Sequence, residues 1–290
     1  AKKTAMLGGW LVGTGWVLAS FSPNISILTI LYGAIGGAGV GIVYGCPITV
    51  VAKWFPHKSG LAIGLTVMGF GISALLIAPL IKTMIDNPSI GILNTFLYLG
   101  IAFMVVIMLL AQLLSFPPAG WTPAEIKTAF AATSAESTPD LSRQAMLKTR
   151  NFYALWVIYT IGCLAGLMAI GIASPVGTEV AKLDTTMAAL AVSLFAVFNG
   201  LGRPIFGALT DKVGPKHAAI VSFTMILGAS LLIFFLGQGS ATVYLFAFCV
   251  LWMCLGGWLA IAPTATGILF GKKHYAQNYG VVFTAYGAGA

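Results

Sequence analysis

Long apolar runs broken by short polar turns organise this chain. No charged residue occurs between Thr4 and Ala52, and that run has room for two membrane spans of ~20 residues each. Ser22-Pro23-Asn24 supplies the turn between them. The second span carries Gly33, Gly36, Gly37, Gly39, Gly41 and Gly45, a density that weakens a helix in water but lets helix backbones approach closely in lipid. After the cationic loop 53–60, a third span runs to about Ile81, with small residues at Gly60, Gly64, Gly69, Gly71 and Ala74. A fourth runs from about Ile92 to Phe116.

Polarity then rises over 117–150, where Thr122-Pro123-Ala124-Glu125 reads as a capping box that starts a short surface helix. Apolar runs resume near Phe152–Ser174, Thr186–Leu209, Ala218–Leu236 and Val243–Phe270, and another opens at Gly280. The segment Ala1-Lys2-Lys3-Thr4-Ala5-Met6 parallels Pro215-Lys216-His217-Ala218-Ala219-Ile220, and the loop ending at Gly60 parallels the one ending at Gly280. Two parallel repeats are therefore expected: a bundle over 1–116, a linker over 117–150 and a second bundle over 151–290.

Composition sharpens this into an all-α polytopic membrane protein. Hydrophobic residues make up 59% of the 290 and charged residues 8%, whereas about a quarter of the residues in a soluble globule are charged. The net charge of +8 argues against nucleic acid, because the cations sit in short loops between apolar runs and form no basic stripe. Twelve of the fifteen Lys and Arg occupy alternate loops, Lys82 and Lys182 occupy the others, and Arg203 lies inside a span. By the positive-inside rule the richer loops and the linker are cytoplasmic. His57, His217 and His274 share that side, and the four cysteines lie in apolar runs without ligand spacing.

Arg203 is the one charge within an apolar run, and a guanidinium there needs a polar cavity or an anion. Eight residues separate it from Asp211, or ~12 Å of helix, which puts it near the middle of a ~30 Å hydrocarbon core. Asn199, one turn earlier, shares its face. The run closes with Gly207-x-x-x-Asp211-Lys212-x-Gly214-x-Lys216-His217. That turn resembles the loop signature of the major facilitator superfamily of secondary transporters, which joins the second and third helices of a half-bundle. Gly214 suits a left-handed turn, Asp211 can face helix N-termini or cations, and Lys212 and Lys216 hold the end in the cytoplasm. Gly207, Asp211, Lys212, Gly214 and Lys216 are thus the expected gating residues.

Within that superfamily the chain is similar to the oxalate/formate antiporter family, through Gly-Val-Gly-Ile-Val-Tyr-Gly-Cys-Pro (39–47), Lys-Trp-Phe-Pro-His-Lys-Ser-Gly-Leu-Ala (53–62), Pro-Pro-Ala-Gly-Trp (117–121), Ala-Gly-Leu-Met (165–168) and Asn-Gly-Leu-Gly-Arg-Pro (199–204). The resemblance implies exchange or cotransport of small carboxylates across a cytoplasmic (inner) membrane by a monomer, with protons or a counter-anion as the coupled species. If the architecture has twelve spans, this sequence is expected to be a fragment lacking the first two, the last and most of the eleventh. Oxalate-carrying members hold two basic residues, in the eighth and eleventh spans. Arg203 matches the first, while the second aligns at Tyr286, which is not basic. A monocarboxylate such as formate, lactate or pyruvate is therefore expected over oxalate.

The candidate binding set is Arg203, Asn199, Tyr44, Trp258, Tyr286 and Phe70. Tyr44 and Trp258 occupy equivalent places in the two repeats and are expected to wall the pocket or to pack between helices, whereas Trp10, Trp16, Trp54 and Trp252 are expected as anchors or packing residues. No metal cluster, activated nucleophile or phosphate loop is evident, so neither an enzyme nor a bound cofactor is expected. Two alternatives remain: a carrier of another small organic anion, and a transporter-like sensor. Substrate flux in liposomes separates the sensor from the carriers.

Overall fold

A computed structural model describes residues 1–118, 121 and 140–290 of the chain, all within helices and the turns joining them. The capping box at 122–125 lies outside the described residues. The helices are α1 (Lys2–Ala19), α2 (Ile25–Trp54), α3 (Ser59–Asp86), α4 (Gly91–Ala111), the short α5 (Arg143–Met146), α6 (Arg150–Val180), α7 (Thr185–Leu236), α8 (Ala241–Phe270), α9 (Tyr275–Val282) and α10 (Thr284–Gly289). Among the described residues, six of them are long and apolar enough to cross a membrane: α2, α3, α4, α6, α7 and α8. Their starts follow local rules. Asn24, Thr149, Asp184 and Ser240 each accept a hydrogen bond from an amide three residues on, satisfying a donor that the first helical turn leaves open.

At 52 residues α7 is ~78 Å long, more than twice a bilayer core, so it cannot be one span. It breaks at Gly214, where φ is 81° and ψ 162°, a conformation open almost only to glycine. The two limbs, 185–213 and 215–236, are the two spans that the sequence pattern predicts on either side of the charged turn.

The chain divides into two compact units, Ala1–Trp54 with Leu76–Thr122 and Phe55–Leu75 with Pro123–Ala290. In the first, α1 is fitted to its neighbours by glycines. A Cβ on Gly9 or Gly13 would meet Ile107 or Met104 of α4, and one on Gly8 or Gly15 would meet Val43 or Gly36 of α2. Such close approach stabilises helix pairs where lipid offers no hydrophobic driving force. Trp16 packs here against Tyr32, Phe96 and Phe103, with centroids 5.2, 5.3 and 5.2 Å away. Residues 29–36 of α2 form a π-helical segment, and Gly15 of α1 lies against it.

The second unit is centred on α8, of which 78% of the apolar window is buried, against 33% or less in the other spans. Gly202 of α7 lies against the Met253 carbonyl, Gly256 of α8 against the Asn199 carbonyl and Gly257 against the Phe206 ring. Around the α8–α9 turn, Asp140 accepts from the amides of Lys272 and Lys273 at 2.8 and 3.0 Å, while Leu141 donates to the Phe270 carbonyl at 3.0 Å. Those bonds tie the end of the linker to that turn.

Candidate functional site

Arg203 is only 2% exposed, and a buried guanidinium costs several kcal/mol unless its donors are met. Its Nη1 donates to the Val67 carbonyl of α3 at 2.6 Å, and its Nη2 to Asn199 Oδ1 at 3.1 Å. Asn199 is itself held, since its Nδ2 donates to the Trp252 carbonyl of α8 at 3.1 Å. The Phe70 ring lies 5.4 Å from the guanidinium carbon, within the range of a cation–π attraction. Tyr286 of α10 is within electrostatic reach of Arg203. Within the second unit the structure thus brings together Arg203, Asn199, Phe70 and Tyr286.

Trp258 is fully buried in the core of the second unit. Its ring lies against Gly162, 6.2 Å from the Tyr159 centroid and 5.2 Å from that of Phe223. Its indole Nε1 has no hydrogen-bond partner among the described residues. Tyr44 is half-buried in α2, in the first unit. Of the tryptophans expected to anchor or pack, Trp54 donates to the Ser115 carbonyl at 2.8 Å and meets Trp121 edge-on, while Trp252 packs on Phe195.

Beyond Arg203, α3 and α7 meet along glycines. A Cβ on Gly60, Gly64 or Gly71 would run into the backbone of Gly207, Arg203 or Gly200 respectively. At the loop end Asp211 accepts from the amides of Gly60 and Leu61, both at 2.8 Å. These are open donors of the first turn of α3, and a carboxylate there also complements the helix dipole. Gly207 is the close-contact glycine of that turn and Gly214 its positive-φ break. Lys212 and Lys216 are exposed, and the imidazole Nδ1 of His217 bonds the Val213 carbonyl at 2.9 Å.

Sequence reasoning missed two participants. The Val67 carbonyl has no side-chain signature. Lys272 looked like any loop cation, yet it is half-buried and its Nζ donates to the Pro56 carbonyl at 2.9 Å. Burial pushes its pKa down, and the Asp211 carboxylate pulls it partly back. A cleft of about 440 Å³ between α6, α8 and the second limb of α7 is walled by apolar residues such as Leu155, Phe223 and Leu269. None of the six candidate binding residues lines it.

A family model described as Major Facilitator Superfamily matches residues 1–290. Over 97% of its length the chain is 29% identical to the oxalate:formate antiporter of Oxalobacter formigenes, of which it spans 64%. It is 24% identical, again over 97% of its length, to apicoplast pyruvate carrier 1 of Toxoplasma gondii, of which it spans 61%. Its fold matches the crystal structure of FucP in the outward conformation with a TM-score of 0.60 at 15% identity, covering all of this chain and 83% of that one. Relatives and fold alike are those of transporters rather than enzymes.

Proposed function

Because this chain belongs to the major facilitator superfamily, we propose that it carries a small carboxylate by alternating access, with Arg203 as the counter-charge of the substrate. The observation that carries this reading is the buried guanidinium. Its bonds to the Val67 carbonyl and the Asn199 carboxamide satisfy donors without neutralising charge. An anion matched to the guanidinium fork supplies what neutral acceptors do not. Similarity to proteins named an oxalate:formate antiporter and a pyruvate carrier supports small carboxylates as the class.

A monocarboxylate is favoured over oxalate, since Tyr286 stands where oxalate carriers are expected to hold a second cation. A dianion would keep one charge uncompensated in a partly desolvated site, and each 1.4 kcal/mol of that cost is about tenfold in affinity. Asp211 on the amides of Gly60 and Leu61 acts as the gate, made and broken in each cycle. Residues 1–116 and 151–290 form the two repeats, joined by a cytoplasmic linker in an inner membrane, with protons or a counter-anion coupled to transport. Counterflow of formate, lactate, pyruvate and oxalate in proteoliposomes of the full-length protein tests this reading. Saturable monocarboxylate uptake that disappears in Arg203→Gln is the expected result, and stronger competition by oxalate than by monocarboxylates overturns the preference.

A further inference from the structure

The guanidinium that would receive the carboxylate is also a fastener between two helices. Among the acceptors on Arg203, Asn199 lies one turn away on the same helix and is anchored to α8. The Val67 carbonyl belongs to α3, which is a different helix. At 2% exposure the fork has no open face for an anion as it stands. A carboxylate that comes to within about 2.8 Å of the Nη1 edge takes the place of the carbonyl seated there. Asn199 moves with α7, so the acceptor that gives way is Val67, and its carbonyl can retreat only with α3.

We infer that the Arg203–Val67 bond is a latch released by the ligand: the incoming carboxylate takes over Nη1, frees the Val67 carbonyl and lets α3 part from α7. This inference rests on the carboxylate reading of Arg203. The exchange is favourable, because a carboxylate brings the opposite charge and a bidentate match to the guanidinium fork, and a neutral carbonyl brings neither. It leaves no orphan, because Val67 lies within the continuous helix Ser59–Asp86, whose own amide ladder still serves its carbonyl. The seam is suited to parting. It is lined by Gly60, Gly64 and Gly71 against Gly207, Arg203 and Gly200, so few side chains interlock across it. Asp211 on the Gly60 and Leu61 amides also fastens it, at the loop end and away from the ligand. Ligand and helix compete for one guanidinium, so by linkage whatever loosens the seam must tighten binding.

The test uses the full-length protein in lipid nanodiscs, with spin labels on cysteines introduced at the exposed positions Leu65 of α3 and Ile205 of α7. The four native cysteines are buried and spared. Pyruvate or formate should widen the label separation by about 3 Å, the depth of one carboxylate contact. Arg203→Met should show the wide separation without ligand and ignore added carboxylate. Calorimetric binding of carboxylate with no change in separation overturns the latch while leaving the carboxylate reading intact. So does an Arg203→Met protein that keeps the narrow separation. Absence of any carboxylate binding to the unmutated protein overturns both. Should Arg203→Met fail to fold, Gly64→Ala wedges α3 from the Arg203 backbone. It should bind carboxylate at least about fivefold more tightly, and unchanged or weaker binding overturns the latch.

Discussion

Asp211 sits on the amide of Gly60, Oδ1 to N 2.8 Å, across 151 residues of sequence. Its second oxygen takes the amide of Leu61 at the same distance, so one carboxylate holds the first turn of α3. Hydrogen bonds to a charged group contribute about 1.5–3 kcal/mol each. Asn in place of Asp keeps one acceptor and turns an NH2 group towards an amide. Asp211→Asn should therefore slow turnover without weakening substrate affinity, because the lost bonds hold one state of the cycle and touch no substrate. Exchange rates and equilibrium binding measured on the same preparation check this. An unchanged rate at normal membrane levels would reduce the turn to a helix cap.

Arg203 should tolerate neither of its obvious replacements. Lys keeps the charge but loses the planar fork that reaches Val67 and Asn199 together, and Gln loses the charge as well. Arg203→Lys should weaken carboxylate binding by at least about tenfold, or 1.4 kcal/mol, and Arg203→Gln should abolish it. Titration calorimetry on both variants settles the order. Wild-type affinity in Arg203→Lys would mean that only a point charge is required.

Much of this arrangement was legible in the sequence, and for physical reasons. Apolar runs ended by charged turns marked the spans, and Gly214 marked the break in α7 because only glycine accepts its φ of 81°. The pairing of Asn199 with Arg203 follows from helical spacing alone. The Val67 carbonyl was not legible, because every residue carries a carbonyl and only tertiary contact selects one. The surroundings of Trp258 were equally hidden. Its place deep in an apolar run was readable, but the rotation that turns it towards Gly162, Tyr159 and Phe223 depends on helices contributed by distant sequence. The π-helical turn at 29–36 gave no periodic signal either, since one extra residue per turn hardly alters an all-apolar stretch.

Glycines that permit close approach should be told apart from those that do not. A methyl at Gly256 would enter the Asn199 carbonyl, whereas one at Gly228 would meet nothing within 4 Å. Overpacking costs about 1–3 kcal/mol, while removing an unneeded glycine from a helix gains about 0.5–1 kcal/mol. Gly256→Ala should lower the unfolding temperature and, by displacing Asn199, weaken carboxylate binding. Gly228→Ala should hold or raise the unfolding temperature with binding unchanged. Equal behaviour of the two variants would contradict the packing described here.

Lys272 should leave a trace in the alkaline stability profile. Burial lowers its pKa in the folded chain below the ordinary 10.5, so at neutral pH the folded state bears the cost of a half-buried charge. As pH rises through the lowered value the folded protein loses this proton before the unfolded chain does. The unfolded state then binds more protons, and stability rises with pH up to about 10.5. The advantage of the unmutated protein over Lys272→Met should therefore grow across that alkaline window and stay level below it. Unfolding temperatures followed by intrinsic fluorescence measure the difference, and a flat difference would contradict the burial cost.

Tyr286 offers the sharpest test of substrate charge. It lies within electrostatic reach of Arg203, on α10 packed against α6, where the Gly289 backbone meets that of Thr160 and Leu164. A phenol can donate one hydrogen bond to a bound carboxylate but brings no charge. A lysine there would raise the cationic charge near the substrate from one to two, enough to neutralise a dianion. Its flexible stem lets the ammonium approach the bound anion without rebuilding the helix. In the absence of substrate the two cations repel, so Tyr286→Lys should be less stable when empty and gain more from ligand than the unmutated protein does. Its preference should move from formate, lactate or pyruvate towards oxalate, read as the ratio of oxalate to monocarboxylate inhibition in one counterflow assay. An unchanged ratio in a folded, active variant would mean that position 286 does not face the bound anion and that the monocarboxylate preference has another origin.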